Sequence, residues 1–305
     1  MPRAIARGEN TDRRKTGDGT LAILNYPGDG TGMKTGKALI DDVDACEVLP
    51  GQCALWWLGQ QGFIAKLGKI VCYFDPYLAL DPSRQVPPLL NPADITNAAM
   101  VLGSHDHGDH IDRSAWPGIA GASLRAKFVV PMLLRDKIVQ EIGLPGERVL
   151  GIDEGIERSV DGVAVTAIPA AHELLDEDPA TGLHPYLGFI VEGNGFRLYH
   201  AGDTCLYEGI QAKLRRPRLD LALLPINGRD ARRLAANCIG NMTYQEAADL
   251  AGAVQPGMTI PTHFDMFAFN SADPQLFADY MQVKYPRLET CIPRHGERKI
   301  VHRKN

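Results

Sequence analysis

The 305-residue chain has no apolar run long enough to span a membrane and no surplus of positive charge. It also lacks a Cys-x-x-Cys pair, an internal repeat and a Gly-x-Ser-x-Gly nucleophile elbow. Each absence removes a class of function. A formal net charge of -5 argues against a general binder of nucleic acid or of membrane surfaces. The six cysteines, Cys46, Cys53, Cys72, Cys205, Cys238 and Cys291, are scattered, so they read as reduced, mostly buried small side chains, and a cytoplasmic location is expected. What remains, 45% hydrophobic and 23% charged residues, is the composition of a globular protein able to bury a large core. Residues 1–15 are basic but include Glu9 and Asp12, with no long apolar run after them. Residues 1–36 are therefore read as a polar extension, rather than a signal peptide or a span, ahead of one domain over 37–305.

Against that plain background one stretch is dense in chemistry: Gly103-Ser104-His105-Asp106-His107-Gly108-Asp109-His110-Ile111-Asp112. It follows the apolar run Ala99-Met100-Val101-Leu102. If that run is a buried strand, His105 and His107, two apart, point to one side, while Asp109 and His110 curl round from the start of the next helix. Imidazole and carboxylate together suit zinc, iron or manganese, and the cluster offers more donors than one tetrahedral ion with an open position uses. Two divalent ions are expected.

Strands are predicted over 53–58, 62–67 and 69–74 as an antiparallel meander, then before the histidines and at 128–130, 148–150 and 163–168. A hairpin over 187–191 and 196–200 follows, then strands at 219–226 and 258–262. Helices are predicted near 35–43, over 132–142, 206–215 and 274–285, and over 244–254, where Thr243 and Glu246 form a capping box. An edge strand is expected at 289–292. The alternation indicates an α/β protein with early hairpins: two mixed sheets face to face with helices outside. In that arrangement His105, His172, Asp203 and His263 all fall at or just beyond strand C-termini, the edge where sites are built.

The run His105-x-His107-x-Asp109-His110, the later His172, the Gly202-Asp203-Thr204 turn and the late Thr262-His263 resemble the metallo-β-lactamase superfamily, in order from about 53 to 295. The resemblance implies a four-layer αββα sandwich. It also implies that His105, His107 and His172 hold one metal, Asp109, His110 and His263 the other, and that Asp203 bridges them. Antibiotic-degrading members carry a cysteine at the Asp203 position or lack the bridge, so a β-lactamase is not implied. Trp56-Trp57-Leu58-Gly59, Ser104-His105-Asp106-His107, residues 198–203 and His263-Phe264-Asp265-Met266-Phe267 look like the L-ascorbate-6-phosphate lactonase family. The chain departs from it in carrying His172 and in a shorter C-terminus. That likeness implies an assembly of several copies.

The expected activity is hydrolysis of a small lactone or ester, in particular a phosphorylated sugar lactone, by attack of a metal-bound hydroxide, with Asp109 orienting the water or taking its proton. Manganese or zinc is expected, with iron compatible. A phosphodiesterase of the same superfamily and a non-catalytic metal-binding protein are the alternatives. For substrate contacts the candidates are Arg229, whose planar fork suits a phosphate or carboxylate, Asn227 beside it, and His184. Arg232 and Arg233 read as solvated, His295 and His302 as surface residues, and Trp56 and Trp57 as core. Asp75 and His200 are expected to support the ligands from behind.

Overall fold

The computed structural model describes residues 33–304. The expected extension lies almost wholly outside them, and its last residue, Gly36, already begins the first helix.

Two sheets of seven strands form the centre. The first contains β1 (Gln52–Gly59), β2 (Gly62–Leu67), β3 (Ile70–Phe74), β4 (Met100–Leu102), β5 (Lys127–Pro131), β6 (Val149–Ile152) and the last strand, β14 (Arg298–His302). Its order is β14-β1-β2-β3-β4-β5-β6, antiparallel from β14 through β3 and parallel from β3 to β6. The second contains β7 (Glu157–Val160), β8 (Val163–Pro169), β9 (Leu187–Gly193), β10 (Phe196–His200), β11 (Leu221–Pro225), β12 (Met258–Thr262) and β13 (Glu289–Thr290). Here β7 through β10 are antiparallel and β10 through β13 parallel. Both sheets are mixed, as expected.

Strand periodicity decides what each face covers. Along β1, Cys53, Leu55 and Trp57 share one buried cluster with Val165, Val191 and Leu198 of the second sheet. The intervening Ala54, Trp56 and Leu58 belong to another cluster, with Leu39 and Val43 of α1 (Gly36–Ala45), Trp116 and Ile119 of α2 (Trp116–Ala122) and Ile138 of α3 (Arg135–Ile142). A period of two thus sends alternate residues inward to the partner sheet and outward to helices. The second sheet is covered in the same way by α4 (Ile210–Arg215), α6 (Tyr244–Val254) and α7 (Pro274–Lys284), through Ile210, Leu214, Ala247, Phe277 and Met281. A short α5 (Ala231–Ala235) lies in the connection after β11.

The α6 helix starts where the capping box places it: Thr243 Oγ1 accepts from Glu246 N, and the Glu246 carboxylate accepts from Thr243 N. Elsewhere the expected helix over 206–215 is only its last six residues, α4. The strands β7 and β14 and the helices α2 and α5 go beyond what the periodicity predicts.

Candidate metal centre

Six turns meet at one edge of the two sheets: those leaving β3, β4, β8, β10 and β12 at their C-termini, and the β1–β2 hairpin. Asp75, directly after β3, holds the histidine turn. Its Oδ1 accepts from Ser104 N at 2.8 Å, and its Oδ2 accepts from Ser104 Oγ at 2.7 Å and from His110 Nδ1 at 2.7 Å. Because the carboxylate only accepts, the serine proton goes to Asp75, leaving Ser104 Oγ to accept from His105 Nδ1 at 3.0 Å. Both rings are therefore held through a proton on Nδ1 and turn Nε2 away from the support. Two glycines permit the close approach. A Cβ on Gly103 would sit 2.6 Å from Ile111 Cγ1, and one on Gly202 2.6 Å from Leu187 O and 2.9 Å from Ser104 Cβ.

The freed nitrogens converge. His105 Nε2 lies 2.9 Å from His107 Nδ1, and donor atoms of His105, His107 and His172 fall within 4.8 Å of one another, as do those of Asp109, His110 and His263 and those of His105, His110 and Asp203. Asp203 stands between the trios, with Oδ2 3.2 Å from His263 Nε2 and 3.9 Å from His172 Nε2, and Oδ1 3.5 Å from His110 Nε2.

Charge divides the cluster. Burial holds His105 well below the usual imidazole range, lowers His107, and brings His172 down to about 4. Burial also opposes charge on His110 and His263, but there the carboxylates win: Asp203, Asp109 and Asp75 lift His110 well above the usual range, and Asp203 and Asp109 lift His263. In turn, His263 and His110 outweigh burial at Asp203 and hold it well below the carboxylate range, and His110 and His263 lower Asp109.

This donor set fits divalent metal. His110 Nε2 and Asp203 Oδ1 are buried, face each other and have no hydrogen-bond partner. Burying such atoms unsatisfied is costly, and a cation at their meeting point would satisfy both. Left-handed backbone clusters here as well, at Gln60, Asp75, Glu173 and His263, as strain does at functional sites.

Over residues 72–264 the sequence matches the beta-lactamase superfamily domain. It is 30% identical over 224 residues to a UPF0173 metal-dependent hydrolase of Pyrococcus abyssi, covering 72% of this chain and 88% of that protein. The chain belongs to this hydrolase family of the beta-lactamase superfamily. Among solved structures, it is similar to a metallo hydrolase from the archaeon Ignicoccus hospitalis, with TM-score 0.64 at 22% identity over 83% of this chain and all of that one. A diiron beta-hydroxylase from Streptomyces venezuelae is similar with TM-score 0.60 at 15% identity, over 85% of this chain and 55% of that one. Both likenesses are of fold, and one fold evidently serves unlike chemistries.

In this UPF0173 family member the remaining expected residues fall in varied places. His200 donates from Nε2 to Gln61 O at 2.9 Å and accepts on Nδ1 from Gly202 N at 3.3 Å, so it shapes the turn that carries Asp203. Two aspartates of the dense stretch are not donors to the cluster. Asp106 pairs with Arg113 and Lys137, and Asp112 accepts from Leu78 N, Ala79 N, Ser114 N and Ala115 N, tying the loop after β3 to the histidine turn.

The three substrate candidates each have partners within the chain. Arg229 gives its fork to Glu246, at 2.7 and 2.8 Å, and reaches Asn241 O at 3.0 Å, so it clamps the 227–243 loop to α6 instead of offering a free anion site. Asn227 is buried and spent in a network, donating to Asn270 Oδ1 at 2.8 Å and accepting from Asn241 Nδ2 at 3.1 Å. His184 is anchored by Asp153, which accepts from its N at 2.8 Å and its Nδ1 at 2.7 Å. His295 is more than a surface residue: it pairs with Asp265 and stacks on Trp57. Cys205 is buried, with Sγ against Gly240 O. Sequence reasoning passed over Ser104, whose hydroxyl follows from its place before His105, and Tyr186, whose ring lies 5.5 Å from that of His105 and 5.3 Å from that of His172. It also passed over Gln60, hidden in a Gly-containing turn. A cavity of about 580 Å³ bordered by Arg218, Asp220, Gly257, Lys284 and Arg287 touches the opposite ends of β11 and β12 and none of the histidines. No helix among the described residues is long and apolar enough to cross a membrane.

Proposed function

We propose that the chain is a binuclear metal-dependent hydrolase that opens a small lactone or ester. His105, His107 and His172 hold one divalent ion, Asp109, His110 and His263 a second, and Asp203 reaches both; manganese, zinc and iron are all compatible with these donors. The observation that carries the reading is the buried pair His110 Nε2 and Asp203 Oδ1, 3.5 Å apart at the junction of the trios with no hydrogen bond made by either atom. Ions bound there supply Lewis acidity, acidifying water and polarising the attacked carbonyl oxygen.

The chain's own groups do the rest. Asp109 is the carboxylate open to solvent, its side chain 22% exposed against 4% for Asp203, so it is the one placed to take a proton from an attacking water. Asp75 and Ser104 hold the rings of His105 and His110 with Nε2 forward, which keeps the donors in register through turnover. Tyr186 packs its ring against those of His105 and His172. Since Arg229 is engaged with Glu246, the proposal does not rest on a phosphate anchor at that residue.

Purified protein loaded with manganese or zinc is expected to open lactones and carboxylic esters, and to lose that activity in His107→Ala and Asp203→Ala. Full metal loading with no turnover across a lactone and ester panel would sink the reading. Cleavage of a chromogenic phosphodiester in its place would favour the phosphodiesterase alternative.

A further inference from the structure

The turn Gly59-Gln60-Gln61-Gly62 between β1 and β2 has no role in the proposal above, yet it is built into the site. Gln60 is fully buried and left-handed, at φ +53°. Its carbonyl accepts from His263 N and from Trp57 Nε1, each at 3.1 Å, and its N–H donates to Asp265 Oδ1 at 3.0 Å. His263 is itself left-handed, at φ +57°. Two uncommon backbone conformations are thus locked to each other, and the result is the position of one side chain.

The tip of that side chain lies among donors. Its nitrogen donates to Asp109 Oδ2 at 3.1 Å and lies 3.2 Å from His263 Nε2, while its oxygen is buried without a partner. Asp109 Oδ2 is in turn 3.9 Å from His263 Nε2 and 3.7 Å from His110 Nε2. The contact with His263 suits an amide nitrogen only while the ring's Nε2 is free to accept its proton. If His263 Nε2 carries a proton, Asp203 takes it at 3.2 Å and two N–H groups face each other. If it does not, its lone pair is the one a cation needs. Turning the carboxamide over brings its oxygen to the same place, since the two ends are nearly the same size. Four atoms with lone pairs then face one point, an arrangement a cation stabilises.

We propose that Gln60 is a further metal ligand, presenting its amide oxygen to the ion position of Asp109, His110 and His263. The proposal rests on the metal reading above. It gives that position five protein donors with Asp203, a set suited to a six-coordinate ion such as manganese or iron rather than to tetrahedral zinc.

Metal content and the visible spectrum of the cobalt-loaded chain test it in Gln60→Ala and Gln60→Glu, with melting of the metal-free forms to show that both fold. Wild type is expected to hold two ions, one of them with the weak absorption of six-coordinate cobalt. Gln60→Ala keeps the first ion, releases the second roughly 10–100-fold more readily, and gains the intense bands of lower coordination. Gln60→Glu, which retains an oxygen, keeps both. The idea is overturned if Gln60→Ala matches wild type in affinity and spectrum. It is equally overturned if Gln60→Glu binds as weakly as the alanine form, which would make the amide a hydrogen-bond donor to Asp109. A wild-type chain that binds no metal would remove the metal reading itself, a separate outcome.

Discussion

The two trios of the centre are close in space and opposite in character. His105, His107 and His172 are three imidazoles that burial keeps neutral, whereas His110 and His263 share their side with Asp109 and Asp203 and hold protons more tightly than free imidazole. The same residue type is pushed in opposite directions by its neighbours over a few ångströms. For metal binding, the first side is ready at neutral pH, and the second must give up protons before it can coordinate.

The largest effect is expected where the sides join. Asp203→Ala removes the oxygens that stand between His110, His172 and His263, so both ions and all turnover are lost; retention of either ion would show that the sides are independent. Next comes the support behind the ligands. Asp75→Ala frees the Nδ1 of His110 and the hydroxyl of Ser104, and metal affinity is expected to fall roughly 10–100-fold, measured by competition with a chelator. A loss confined to the His110 side would show that Ser104 can hold His105 alone.

The pH dependence sharpens the contrast. In the metal-free chain His110 titrates above its ordinary 6.5. Its charged form therefore contributes stability that is complete below about pH 6.5 and is lost as pH rises through the raised value. Metal competes with that proton, so affinity on this side rises with pH through the neutral range, while the His105 side, deprotonated already, stays flat there. Calorimetric titration in buffers of different ionisation heat would report the released protons. Equal release from both sides would contradict the division.

The smallest effect lies outside the cluster. Glu246 caps α6 and pairs with Arg229, and its pKa is lowered, first by that hydrogen bond. Its contribution is present above its ordinary 4.5 and lost as pH falls through the lowered value. Glu246→Ala is expected to cost about 1 kcal/mol in denaturant unfolding with metal content unchanged. A loss of metal would tie the 227–243 loop to the centre.

Much of this was legible in the residues. Imidazoles at i and i+2 after a buried run mark the histidine turn as a candidate metal site, and the strand ends beyond β8, β10 and β12 supply the residues that meet it; the Thr243–Glu246 capping box gives the start of α6. Other features depend on tertiary context. Arg229 looks free until Glu246, in the next helix, takes its fork. In β7, Glu157 and Ser159 are exposed and Arg158 and Val160 half-buried, a pattern too polar to mark a strand, and pairing with β8 makes it one. In α2, Gly118 and Gly121 weaken the helical signal, and burial of Trp116 and Ile119 compensates. Gln60 sits in a plain Gly-bounded turn, and only the His263 turn folding onto it gives it a place in the site.

The most direct test is the metal content of the wild-type chain beside His107→Ala and His263→Ala, measured by mass spectrometry after exhaustive dialysis. Two ions per chain in the wild type are expected to become one in each variant, with different pH dependences for the ion that remains. A single ion in the wild type, or one lost equally in both variants, would contradict two unlike metal positions sharing Asp203.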